Sequence, residues 1–263
     1  MDDPIAAAHA AFAAASLTPI IVGSTLAVVL IAALLRGFTG FGFALAAVPL
    51  LGVFMAPAQA VPVAVALQLL GGLTDLRGAS RDCHWPSLRW LIAGVVIGSP
   101  LGALALSVAP APVARIVIAM ITAGAVWLLG RGFALAAIPS RPVTATVGLV
   151  AGLFNGLAAM PGPPAVIYFM SGPFGRVAAR ASLLVLFLAT SISAFISETT
   201  VGLVGARVLW LAAIAWPVML LGTMIGEYGF RRGSDALHRQ VSIASLGLIA
   251  LGSAIKGISE LLM

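Results

Sequence analysis

The sequence predicts an all-α polytopic membrane protein made of two inverted halves, with broken helices or re-entrant segments in each half. The first observation is composition: of 263 residues, 61% are hydrophobic and 8% are charged, whereas an ordinary soluble domain has roughly 25% charged residues. The second is the recurrence of apolar runs near the length that spans a bilayer as a helix. The third is a similar glycine-rich interruption in each half of the chain.

The apolar runs divide the chain into ten segments. They lie at about 20–35, 43–56, 58–76, 88–108, 111–130, 143–155, 162–172, 177–197, 207–228 and 236–259. The first two cannot form one helix, because residues 20–56 would extend about 55 Å and the hydrocarbon core is about 30 Å thick. Glycine tolerates unusual backbone conformations, so we place the break at Gly37, Gly40 and Gly42. The second and seventh segments are short, and the sequence allows them either to cross the bilayer or to re-enter it.

Positive charges fall mainly on one side of this scheme. One set of loops holds eleven cationic residues, namely Arg36, Arg77, Arg81, Arg89, Arg131, Arg141, Arg176, Arg180, Arg231, Arg232 and Arg239. The opposite set holds three, namely Arg115, Arg207 and Lys256. The positive-inside rule assigns the first set to the cytoplasm and places both termini outside. The net charge of +6 therefore reflects topology, and we expect no nucleic-acid partner.

Two halves of the chain resemble each other. We divide it into an N-terminal extramembrane segment (1–19), a first half (20–131), a linker (132–142) and a second half (143–263). The stretch that begins at Arg36 corresponds to the stretch that begins at Asn155, and "GSPLG" at 98–102 corresponds to "GTMIG" at 222–226. If each half crosses the membrane an odd number of times, the second half is inverted relative to the first. Such inverted repeats are typical of secondary transporters.

The two breaks predict the substrate site. Non-helical backbone at membrane depth is tolerated where it is buried in protein or lines a wet cavity, and paired breaks point to a binding site at the interface of the halves. Helix N-termini at these breaks carry the positive end of the helix dipole and suit a small anion. The candidate substrate-binding residues are Arg36, Gly37, Thr39, Gly40, Phe41, Gly42, Gln68, Asn155, Gly156, Met160, Gly162 and Pro163.

Four of the polar side chains have two interpretations each. Arg36 pairs with the anion through its planar guanidinium or is a topology charge that reaches the headgroups. Thr39 and Asn155 form hydrogen bonds either with the anion or with backbone groups that the helix breaks leave unpaired. Gln68 joins two helices or faces the cavity.

The "GxxxG" pairs at 98–102 and 222–226 are expected to bring helices close together.

Glu198 also has two interpretations. It lies near the end of the eighth segment and is either a protonation site for coupling or a solvated acid. The sequence "SETT" at 197–200 resembles a helix terminus and favours the solvated acid.

The sequence gives no sign of an enzyme, a metal site or a cofactor. The three histidines, His9, His84 and His238, fall in the N-terminal region or in loops, and the single cysteine is Cys83. An intramembrane hydrolase needs a nucleophile with its base, paired acids or metal ligands within the bundle. We therefore expect a transporter, with lipid, a small anion and protons as the coupling ion among its partners.

The motifs around the breaks resemble those of the TauE/SafE sulfite exporter family of bacterial inner-membrane proteins. "GFTGFGFALAAVPLL" at 37–51 is similar to the first family copy, and "GLVAGLFNGLAAMPGPPAVIYFM" at 148–170 to the second. The resemblance covers about residues 20–260 and implies export of sulfite, sulfoacetate or a related organosulfonate across the bacterial inner membrane. Phe43 replaces a glycine that is common in the family, and Met160 and Pro161 replace small residues. An importer or an anion channel for another small metabolite shares the same sequence features.

Overall fold

The computed structural model describes residues 17–39, 42–75, 79–131 and 137–230, and within these ranges every regular element is a helix. The helices are α1 Pro19–Thr39, α2 Phe43–Leu51, α3 Pro57–Asp75, α4 Ala79–Asp82, α5 Trp85–Val108, α6 Ala111–Arg131, α7 Arg141–Ala158, α8 Gly162–Ser171, α9 Arg176–Thr200 and α10 Ala206–Phe230. Five of the described helices, α1, α3, α5, α9 and α10, are long and apolar enough to cross a membrane. A shorter apolar stretch, Ala111–Ala125, lies in α6.

The helices confirm nine of the ten predicted apolar segments to within a few residues. The tenth, 236–259, lies outside the described residues. The single-turn helix α4 was not predicted, because four residues are too few to produce a hydrophobic period. α7 is longer than its predicted segment and ends at Ala158.

Both predicted helix breaks are present. Between α1 and α2 the chain turns at Gly42, which has a φ of 89°. Between α7 and α8 it turns at Ala159, a non-glycine residue with a φ of 56°. α8 then runs back along α7, since the hydroxyl groups of Tyr168 and Thr144 lie 3.1 Å apart. Each break therefore joins a long helix to a short one through a residue in the left-handed conformation.

Two pairs of helices pack through glycine. In α5, Gly94, Gly98 and Gly102 face Gly148, Gly152 and Gly156 of α7, so closely that a Cβ on any of them would meet the backbone of the other helix. In the pair α1 and α10, a Cβ on Gly226 would lie 2.9 Å from the Cα of Gly37. The two "GxxxG" pairs thus bring helices together as expected.

α3 lies at the centre of the bundle. Its residues 60–67 are all buried, and it packs against α2, α9 and α10. The outward faces are apolar as well: Val96, Ile97, Leu101 and Leu104 of α5 are each at least half exposed. A helix that is apolar on both its inner and outer faces fits a lipid environment.

Candidate functional site

Gln68 connects the central helix α3 to the second break. Its side-chain nitrogen Nε2 donates a hydrogen bond of 2.9 Å to the carbonyl oxygen of Ala159. That carbonyl belongs to the left-handed residue that ends α7, where the helix leaves backbone acceptors unpaired. Gln68 therefore joins two helices and repairs exposed backbone, which agrees with the first of its two interpretations.

Asn155 is buried one turn before the same break. Its Nδ2 donates a hydrogen bond of 2.8 Å to the carbonyl of Thr190 in α9, and the residue has no exposed surface. Its Oδ1 has no hydrogen-bond partner among the described residues. A buried acceptor without a partner is costly. Asn155 therefore presents an unused acceptor at the break.

Arg36 lies at the first break and also contacts α3. It is half-buried, and a Cβ built on Gly71 would lie 2.7 Å from its Nη1. Gly71 follows Gln68 by three residues, which is about 5 Å along the helix and nearly the same face. One turn of α3 thus contacts a residue from each break.

The two short helices present different numbers of backbone donors. α2 begins after Gly42 with Phe43, Ala44 and Leu45 and has no side-chain cap, so its first N–H groups lack intrahelical partners. α8 begins after Pro161 and continues with Pro163 and Pro164, which have no N–H. The positive end of the helix dipole is therefore richer in donors at the first break.

Other predicted site residues are spread over several environments. Gly37 and Gly156 lie in the glycine contacts of α1 with α10 and of α7 with α5. A Cβ on Gly162 would meet nothing within 4 Å. Met160 is buried, and its sulfur lies 3.5 Å from the hydroxyl of Thr122.

Of four further predicted positions, two lie within described helices. Pro163 is buried in the first turn of α8, and Thr39 is the last residue of α1. Gly40 and Phe41 lie outside the described residues. Substrate contact by each of the twelve candidates stays a prediction.

The structure contradicts the preferred interpretation of Glu198. The preferred interpretation was a solvated acid at a helix end, and α9 does end two residues later, at Thr200. However, the side chain is fully buried, with 0% exposure. Neither carboxylate oxygen has a hydrogen-bond partner in the described part of the chain. The solvated interpretation failed because the sequence locates the end of α9 but not the helices that cover it.

A polar cluster at the opposite end of the bundle was not predicted. The hydroxyl of Tyr168 in α8 donates a hydrogen bond of 2.9 Å to Ser87 Oγ in α5, and Ser87 Oγ lies 2.9 Å from His84 Nδ1. A cavity of about 310 Å³ borders this cluster and is lined in part by Arg89 and Arg141. The hydroxyl of Thr144 in α7 also lies 3.1 Å from that of Tyr168. The cluster thus draws on three helices that are distant in sequence, so no local pattern reveals it.

Candidate ligands for a metal are scattered. Within the described ranges, no group of three or more His, Cys, Asp and Glu side chains is close enough to hold a metal ion. The polar atoms near the breaks are instead amides, a guanidinium and backbone groups, which suit hydrogen bonding to an anion.

Two comparisons with known proteins give a match. The family model described as sulfite exporter TauE/SafE matches residues 25–253. A curated protein from Cupriavidus necator, named probable sulfite/organosulfonate exporter TauE, is 27% identical over 226 residues, which cover 82% of this chain and 86% of the relative. No solved structure matches the chain. Because the family model covers most of the chain, the protein belongs to the TauE/SafE family of sulfite exporters, a family of membrane transporters.

Proposed function

We propose that the protein is a secondary carrier that exports sulfite or a small organosulfonate by alternating access, with its site between the two helix breaks. The observation that supports this site is the single turn of α3 that reaches both breaks, through Gln68 to Ala159 and through Gly71 to Arg36. Carriers with inverted halves bind their substrate at the interface of the halves. The relative from Cupriavidus necator supplies the substrate class.

The inverted repeat is supported by the pairing of helices. In the proposed repeat, α1 corresponds to α7 and α5 to α10. The first helix of each half then packs against the third long helix of the other half, as α1 does with α10 and α7 with α5. Both pairs use glycine at the contact, so each half completes the other.

The two breaks have complementary chemistry for a sulfur oxyanion. In this proposal Arg36 and the first amides of α2 compensate its negative charge. Asn155 contributes its unused acceptor Oδ1, which matches the O–H of a protonated anion such as hydrogensulfite. Thr39 contributes its hydroxyl. The proposal needs no prosthetic group, and the proton gradient or the membrane potential supplies the energy.

The proposed orientation places the carrier in the bacterial inner membrane with both termini outside. Its support is the eleven-to-three division of cationic residues. Two residues of the larger set lie close together: Arg141 lies 6.0 Å from the ring centroid of Trp90, which follows Arg89 in the chain, and both arginines line the same cavity. In this orientation the end of the bundle that holds this cavity faces the cytoplasm.

Thermal stabilisation of the purified protein tests the ligand class. We expect sulfite or sulfoacetate to raise the unfolding midpoint, because a ligand that binds only the folded state stabilises it. Taurine, sulfate, acetate and chloride serve as comparisons. No stabilisation by any sulfur anion would contradict the proposal.

Flux into proteoliposomes separates a carrier from the alternatives. A carrier gives saturable uptake and counterflow of labelled sulfite, whereas a channel gives a current that is linear with voltage. Reversal of the net direction under a physiological gradient would identify an importer.

A further inference from the structure

Glu198 is a buried acid that the proposed anion site leaves unexplained. It has 0% exposure, and neither of its carboxylate oxygens has a hydrogen-bond partner in the ranges that the structure describes. An ionised carboxylate in such a place is costly, so the buried form is the neutral acid. Ionisable residues within membrane helices mark proton and ion pathways.

The charged groups on the neighbouring helices do not compensate Glu198. α9 packs against α3, α4, α5, α7 and α8. Their charged residues in the described ranges are Asp75, Arg81, Asp82, Arg89 and Arg141. These five lie toward the start of α9, where the backbone N–H of His84 donates to Ser182 Oγ at 2.9 Å, whereas Glu198 is near the other end.

Arg207 is the charged residue closest to Glu198 in sequence. It follows the turn that joins α9 to α10. Its Nε is also buried without a hydrogen-bond partner among the described residues. The conformation described therefore contains a buried acid and a half-buried arginine with a buried Nε near one end of the bundle, and the two do not pair.

α9 connects Glu198 to the proposed anion site. Ser191, Ala194 and Glu198 follow each other at spacings of three and four residues, so they share one face of the helix, and all three are buried. Thr190, whose carbonyl accepts the hydrogen bond from Asn155, lies two turns away, about 12 Å along the axis. A movement of α9 would thus act on both Asn155 and Glu198.

We propose that Glu198 is the proton-binding group that couples anion export to the proton gradient, an inference that rests on the proposed carrier function. The carboxylate binds a proton from the side at which α9 ends and releases it on the other side after the conformational change. The carboxyl O–H is the only bond that forms and breaks. The proton moves inward as the anion moves outward, and the membrane potential favours both movements when the interior is negative.

Proteoliposome flux of labelled sulfite tests this assignment with Glu198→Gln, which keeps the shape of the side chain and cannot ionise. We expect a pH gradient to stimulate wild-type flux severalfold and to have no effect on the variant, while counterflow at equal pH continues in both. Glu198→Asp should regain part of the stimulation. Glu227→Gln is the control, because Glu227 is an exposed acid on α10, and it should behave as wild type.

The outcomes separate this inference from the proposed function. Gradient stimulation that persists in Glu198→Gln, or the loss of counterflow in a folded variant, would overturn the assignment and leave the anion carrier intact. Absence of all sulfite transport by the wild type would instead defeat the carrier. In that case infrared spectroscopy decides the protonation directly: Glu198→Gln, but not Glu227→Gln, should remove the carbonyl band of a protonated carboxyl, and an unchanged band would overturn the inference.

Discussion

The two helix breaks share a backbone shape but differ in what they present to a ligand. The first has a glycine in the left-handed conformation, a half-buried arginine and a helix whose first residues keep their N–H groups. The second has an alanine in that conformation, prolines at the start of its short helix, and the amides of Asn155 and Gln68. Two breaks of similar backbone conformation can therefore present different chemistry, with a positive charge at the first and neutral hydrogen-bonding groups at the second.

Removal of the charge at the first break should have the largest effect. Arg36→Gln is expected to weaken sulfite binding about 10- to 100-fold, because a hydrogen bond to a charged group is worth about 1.5–3 kcal/mol. The dissociation constant from thermal stabilisation at increasing sulfite measures it. Arg180→Gln, at an exposed position on α9, is the control. An equal loss in Asn155→Ala would mean that the two breaks do not divide their roles in this way.

Removal of the amide that supports the second break should reduce stability. In Gln68→Leu the carbonyl of Ala159 loses its partner, and an unsatisfied buried acceptor costs about 1–3 kcal/mol. We expect a lower unfolding midpoint in detergent without ligand. Gln59→Leu, at a half-buried position in the first turn of α3, should change the midpoint less. If both variants unfold alike, the bond from Gln68 does not hold the break.

Exchanging glycine and alanine at the two left-handed positions tests how much backbone conformation at each break contributes to stability. Gly42→Ala should destabilise the protein by about 1 kcal/mol, since a Cβ is unfavourable in this conformation. Ala159→Gly should change little, because relief of that strain is offset by the loss of a buried methyl group worth about 0.8 kcal/mol. Unfolding midpoints of both variants measure the difference. A larger loss in Ala159→Gly would show that packing, and not backbone conformation, limits the second break.

The smallest effect is expected away from both breaks. Arg89→Ala, at the rim of the cavity, should slow sulfite uptake roughly twofold to fivefold at low ionic strength, because surface charge steers anions toward their site. The difference should disappear at high salt, where such charges are screened. Initial rates at two salt concentrations measure it. A defect that persists in high salt would make Arg89 a direct contact.

Composition and local pattern predicted the helices and the breaks, but not the contacts between distant residues. Segment length and hydropathy are properties of a short stretch, so α1 and α9 could be located from sequence. Glycine and proline mark the ends of helices in the same local way. The burial of Glu198 depends on which helices cover α9, and the bond from Tyr168 to Ser87 joins residues that are 81 positions apart. No local signal specifies either one.

The glycine contacts also set an order of assembly during synthesis. The glycines of α5 contact those of α7, which are synthesised about 55 residues later. Gly37 of α1 contacts Gly226 of α10, which is synthesised about 190 residues later. At about 5–20 residues per second, α1 spends about 10–40 s in the membrane before α10 exists. During that interval the surface of α1 around Gly37 lacks its native partner and can pack against other helices. The last helix of the described chain is thus the one that protects the first, and a truncation before α10 leaves α1 unpaired.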